Sequence, residues 1–97
     1  MTLEDYADAL NTQIVVQRYP CQSGRWIAHF PLCEVIDGNI LASSYGEGTT
    51  PLEAMNSYVD QIRGRRVVFD AAAPDKRREF DVPETVQKIA LLSWAKP

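Results

Sequence analysis

The segment Thr49-Thr50-Pro51-Leu52-Glu53 sets the tightest limit on what this chain can build. Thr50 offers a side-chain oxygen to cap a helix, and Pro51 has the fixed φ suited to the first helical position. Glu53 stands three residues past the cap, where a capping box takes an acid. A helix is therefore predicted from Pro51. Leu52, Met55, Val59 and Ile62 recur at helical spacing, flanked by Ala54 and Tyr58, while Glu53, Asn56, Asp60 and Gln61 lie largely off the stripe. Gly64 supplies the left-handed residue that commonly ends a helix, after the cation Arg63. One face of this helix must be covered, and the flanking segments supply strands to cover it.

Gln13-Ile14-Val15-Val16-Gln17-Arg18-Tyr19 is rich in β-branched residues and closed by Pro20, so it reads as a first strand. Arg25 to Phe30 alternates, with Trp26, Ala28 and Phe30 on one face and Ile27 and His29 on the other. Pro31 interrupts it, Cys33 to Ile36 resumes it, and a bulge or edge position is expected between. Asp37-Gly38-Asn39 is hairpin chemistry, and Ile40 to Tyr45 returns. Gly46-Glu47-Gly48 reads as the turn from strand to helix. Before these strands, Thr2-Leu3-Glu4-Asp5 has the form of a capping box, predicting a short helix over Leu3 to Leu10. After the main helix, Arg65 to Asp70 and Arg77 to Val82 read as two strands that can pair, and Pro83 to Leu92 as a terminal helix. The expected fold is α+β: an antiparallel sheet of three to five strands, a central amphipathic helix on one face, and short terminal helices. At 97 residues this is one domain, 1–97.

The hydrophobic share of 45% and charged share of 24% are those of an ordinary globular chain. Apolar runs such as Ile14-Val15-Val16 are far too short to span a bilayer, and the acidic start Glu4-Asp5 is unlike a secretory signal. A cytoplasmic setting is expected, with Cys21 and Cys33 as reduced thiols. The net charge of −3 is unevenly spread. Through Ile62, two arginines stand against eight carboxylates, a balance of −6; from Arg63 onward, eight cations stand against five acids, a balance of +3.

No catalytic constellation stands out. Gly46-Glu47-Gly48 lacks the Lys-Ser/Thr of a phosphate loop and the third glycine of a dinucleotide fingerprint. His29 is the only histidine, and on an extended strand Cys33 would lie roughly 13 Å away. One His and two separated Cys form no metal-binding pair, so neither metal nor cofactor is expected. The informative residues are those of surfaces. Arg63, Arg65 and Arg66, with Lys76, Arg77 and Arg78 across a hairpin, can converge into a patch for phosphates or for carboxylates of a protein. Glu47, Glu53 and Asp60 are candidate acidic contacts. Trp26, Tyr45 and Trp94 are large enough to anchor an interface; Trp26 is expected in the core, and Trp94 to dock on the domain or on a second subunit. An exposed edge strand or Trp94 can join two copies into a homodimer.

The run Trp26 to Pro31, the hairpin, and Gly46-Glu47-Gly48-Thr49-Thr50-Pro51-Leu52-Glu53-Ala54-Met55 together resemble the HicB-like antitoxin domain over about Ile14 to Ile62. That family has a strand ending in Phe/Tyr-Pro, a returning strand and a Gly-x-Thr-x-x-Glu-Ala helix start. The β-β-β-α order is also similar to the double-stranded-RNA-binding domain. HicB antitoxins usually carry a separate DNA-binding segment, for which the tail after Gly64 is short and mixed, and the whole chain looks more like accessory proteins of bacteriophages and prophages. The resemblance implies a small phage-type accessory protein, an anti-CRISPR or other anti-defence inhibitor of a host protein or ribonucleoprotein complex; the −6 balance and the lack of catalytic groups make it a non-enzymatic binding protein, with Glu47, Glu53, Asp60 and Trp94 as the expected contacts. The alternative is a HicB-like antitoxin or nucleic-acid-binding module using the Arg63 to Arg78 cations.

Overall fold

A computed structural model describes residues 1–20 and 23–88. Its elements run α1 (Leu3–Ala9), β1 (Val15–Arg18), β2 (Trp26–His29), β3 (Cys33–Asp37), β4 (Ile40–Ser43), β5 (Gly46–Gly48), α2 (Pro51–Ile62), β6 (Arg66–Phe69) and β7 (Arg78–Asp81). The α+β class is as expected, but the strands form two antiparallel sheets in place of one. One has the order β1-β2-β5 and the other β4-β3-β6-β7.

The division comes from the middle of the chain. β2 leads into β3 and β4 into β5, so the pairs β2/β5 and β3/β4 are the two halves of one long hairpin, broken at Phe30–Leu32 on one arm and Ser44–Tyr45 on the other. Pro31 cannot donate to a ladder, and Leu32 takes a left-handed φ of 53°. Asp70, also left-handed at 53°, donates its amide to the Leu32 carbonyl at 3.0 Å and holds the break from the β6 side. The expected bulge near Pro31 is thus a complete change of sheet. The hairpin closes at Gly38, with φ of 65°, between the paired residues Asp37 and Ile40.

Phe30, at the break, fills the space the two sheets share. Its ring meets Tyr58 edge-on at 5.4 Å, Phe69 at 5.9 Å and Tyr6 at 6.3 Å between centroids. α1 carries the capping box read from Thr2 and Asp5 and buries Leu3, Tyr6 and Ala7. Tyr6 also donates its hydroxyl to the Asp81 carbonyl at 3.3 Å.

α2 packs mainly on β5 and β2. Its fully buried residues are Ala54, Tyr58, Val59 and Ile62, while Leu52 and Met55 are only half-buried. The apolar stripe is therefore turned toward Ala54 and Tyr58, and the glycines of β5 explain the turn. A Cβ on Gly46 would come within 2.9 Å of the Tyr58 Cα, and one on Gly48 within 2.7 Å of the Ala54 amide nitrogen. Gly46-Glu47-Gly48 is a strand, not a turn; its glycines let a helix backbone lie directly on the sheet.

Beyond β7 the expected helix is not formed through Lys88: residues 83–88 make a turn, and Gln87 bridges to Thr2 while its amide donates to the Met1 carbonyl at 2.8 Å. Val82 and Val86 are buried in the core, so this segment is anchored by pairing with the start of the chain. Residues 89–97, including Trp94, lie outside the described residues, as does Cys21.

Candidate interaction surface

Where the two sheets part, the outer face opens into a cleft of about 450 Å³ lined by Ile27, His29, Cys33, Glu34, Tyr45 and Ala72 among others. β2 alternation puts Ile27 and His29 here and sends Ala28 and Phe30 to the core. A second groove, of about 320 Å³, runs along the edge of β5 between Glu47 and the helix residues Ser57 and Gln61. The two depressions share Ser43, Ser44 and Tyr45, the returning arm at its break. Gln61 clamps that arm: its Nε2 donates to the Tyr45 carbonyl at 2.6 Å, and the Ser44 hydroxyl donates to its Oε1. Tyr45 remains 40% exposed between the grooves, and Leu32, 76% exposed, stands beside the cleft.

His29 and Cys33 line the same cleft, although strand spacing alone predicts a wide separation. They do not make an activated pair. Burial pushes the Cys33 thiol up to about 11, so it is protonated at neutral pH, and the thiol lies 3.8 Å from the Glu34 carbonyl. His29 Nδ1 lies 2.9 Å from the Phe30 carbonyl, an acceptor that requires the Nδ1–H form. The Tyr58 hydroxyl is sealed in without a hydrogen bond of good geometry, though the Phe30 backbone and the Cys33 thiol are near enough to influence its ionisation; burial raises its pKa. Among the described residues no group of three metal-ligating side chains exists, and no helix is long and apolar enough to cross a membrane.

The acidic candidates do not share one open surface. Glu47 sits opposite Ile27 in the β2–β5 pairing and takes Arg25 at 3.4 Å. Glu53 is tied into the helix start: its carboxylate accepts the Thr49 hydroxyl at 2.7 Å, while its amide donates to Thr50 at 3.1 Å. Asp60 is bridged by Lys88 at 2.7 Å and Arg63 at 3.9 Å. Of these three, Glu47 alone borders the grooves.

The basic residues converge only in part. In the β6–β7 register Arg66 lies opposite Asp81 and Arg78 opposite Phe69, so those two backbones stand at opposite ends of the hairpin, about 10 Å apart, while Arg66 and Arg77 meet on one carboxylate. Arg66 forks onto Asp81 at 3.0 Å and reaches Glu79 at 3.3 Å, and Arg77 takes the other oxygen of Glu79 at 3.0 Å. These contacts raise the Arg66 pKa and lower that of Asp81. Arg78 stacks over Phe69 and Phe80 and reaches the Leu10 carbonyl. Arg65 and Lys76, both exposed, are left without an ion pair among the described residues. The interspersed acids visible in the sequence were the signal that this run is self-neutralised.

The Ser43–Tyr45 junction was legible only in part. Tyr45 stood out by size, but the strand break that makes it a ridge depends on β3 leaving β2's sheet for β6, a contact between residues far apart in the chain. The chain matches no family model, no curated protein and no solved structure.

Proposed function

We propose that this protein is a non-enzymatic binding protein of the cytoplasm that acts by occluding a surface of another protein, and that its working face is the ridge of Ser43, Ser44 and Tyr45 with Glu47 at its border. The observation that carries this reading is the pair of grooves flanking an exposed tyrosine that α2 clamps from behind through Gln61. An exposed aromatic whose backbone is pinned between depressions has the anatomy of an interface anchor. The partner is a basic, nucleic-acid-handling surface. The half-exposed Glu47 carboxylate at the border and the net charge of −3 favour that chemistry, and the fixed pairing of Arg66 and Arg77 with their own carboxylates disfavours a nucleic-acid ligand. A ribonucleoprotein of bacterial defence, inhibited by a phage-encoded chain, is the partner class this reading names.

Expression in a host with an active CRISPR system tests it, with phage plating efficiency as the readout. Plating should rise with the wild-type chain. Tyr45→Ala with Glu47→Lys should weaken binding to the purified target complex at least tenfold, or ~1.4 kcal/mol. Unchanged plating across interference types, or undiminished inhibition by the double variant, would remove the reading.

A further inference from the structure

We infer that β4 is a docking edge for a second copy of this chain, which pairs with it antiparallel about a two-fold axis at Leu41. All four residues of β4 are exposed, with Ile40 at 70% and Leu41 at 37%. It is the outermost strand of its sheet, so one row of its main-chain donors and acceptors is open. Such edges are ordinarily guarded by charge, proline, a bulge or a covering element. The other described edges are guarded. β7 carries Arg78, Glu79 and Asp81, β1 ends in Arg18, and β5 is overlaid by α2, with Gln61 taking the Tyr45 carbonyl at its margin. Ile40-Leu41-Ala42-Ser43 has none of these guards, and the whole stretch from Gly38 to Gly46 carries no charge.

The fit of the strand to its own copy identifies the occupant as a like chain. The net charge of −3 makes two copies repel only weakly, and β4 is a neutral edge where that repulsion is smallest. The nearest carboxylates, Glu34 and Asp37, sit one strand further in, paired with Ser43 and Ile40. In the joined sheet β3 and its copy would be three strand spacings apart, about 14 Å, beyond the ~8 Å screening length of physiological salt.

The side chains fit the same axis. A two-fold perpendicular to the sheet sets a residue against its own copy, so Leu41 meets Leu41 on one face and Ile40 meets Ala42 on the other, large against small. The closing pair of the two-residue turn is Asp37 with Ile40, so alternation turns the Leu41 amide and carbonyl away from β3, toward the second copy. Two four-stranded sheets then become one continuous sheet of eight. The contact is small beside the ~1,000 Å² of a durable interface, so the pairing is concentration-dependent.

Light scattering after size exclusion, across a range of loading concentrations, tests this without reference to any target. The wild-type chain should pass from monomer toward dimer as concentration rises, and Leu41→Lys should stay monomeric. Ile40→Lys serves as a second variant if the first loses its circular dichroism signal. Hydrogen exchange adds an independent readout: amide protection at Leu41 should grow with concentration while that of β7 stays constant. A monomer at every concentration, including one in which β4 is free to pair with a strand of another protein, overturns the inference. So does a dimer that both lysine variants leave intact.

Discussion

Cys33 shows how burial changes what a side chain can do. Exposed, a thiol beside a histidine is a candidate nucleophile; here burial raises it to about 11 and leaves it a small apolar filler at the start of β3, packed against the core. Alkylation by iodoacetamide should be slow at pH 8 and accelerate only as pH nears that value. The same shift bears on stability. The folded thiol keeps its proton up to about 11, whereas an unfolded thiol loses it near ~8.5. Its contribution is therefore intact below the unfolded value and falls away as pH rises between the two, by up to ~1.4 kcal/mol per pH unit. Denaturant midpoints from pH 8 to 11 should decline in the wild type and flatten in Cys33→Ala; equal slopes would show that other groups carry the alkaline sensitivity. Tyr58, raised by the same burial and by proximity to Cys33, adds to the decline above ~10.

Among elements, the α2–β5 contact is the most constrained. The helix start read from Thr50 and Pro51 forms as expected, with Thr50 accepting the Glu53 amide at 3.1 Å. The buried face differs from the simple stripe because the helix settles where the sheet has no side chains. Gly46→Ala should therefore destabilise by about 2–4 kcal/mol, since its methyl would meet backbone atoms that cannot rotate away. Urea denaturation measures this directly. A change below ~0.5 kcal/mol would mean that the helix shifts freely on β5. Gly38→Ala is the matched control: at φ of 65° it strains the turn but meets no atom within 4 Å.

Across the whole molecule, charge is organised by pairing. Arg66, Glu79, Arg77 and Asp81 form a ladder over the β6–β7 hairpin, and Asp60 gathers Arg63 and Lys88 at the end of α2. These cations are half-exposed, so the ladder orients side chains more than it stabilises the fold. Its consequence is for binding, because phosphates would have to displace carboxylates already in place. Labelled single- and double-stranded RNA and DNA should therefore show no mobility shift with this protein even at low salt. A shift that disappears at higher salt, and with Arg65→Ala and Lys76→Ala, would restore the nucleic-acid reading.

Local chemistry was enough for the caps at Thr2 and Thr50, the turn at Gly38, the left-handed Gly64 and the alternation of β2, because each depends on residues within a few positions of one another. The α+β class followed from these. Three things rested on distant contacts. Pairing of β3 with β6 split the sheet, the fit of Ala54 and Tyr58 onto bare glycines rotated the helix face, and the match of Gln87 to Met1 and Thr2 replaced a predicted helical turn. The glycines that began as a turn signal proved to be a packing surface, since only the assembled fold brings a helix down on them. The candidate surface belongs to the same category: a strand is exposed or covered according to what the rest of the chain places beside it, and no local pattern around Ile40 to Tyr45 carries that information.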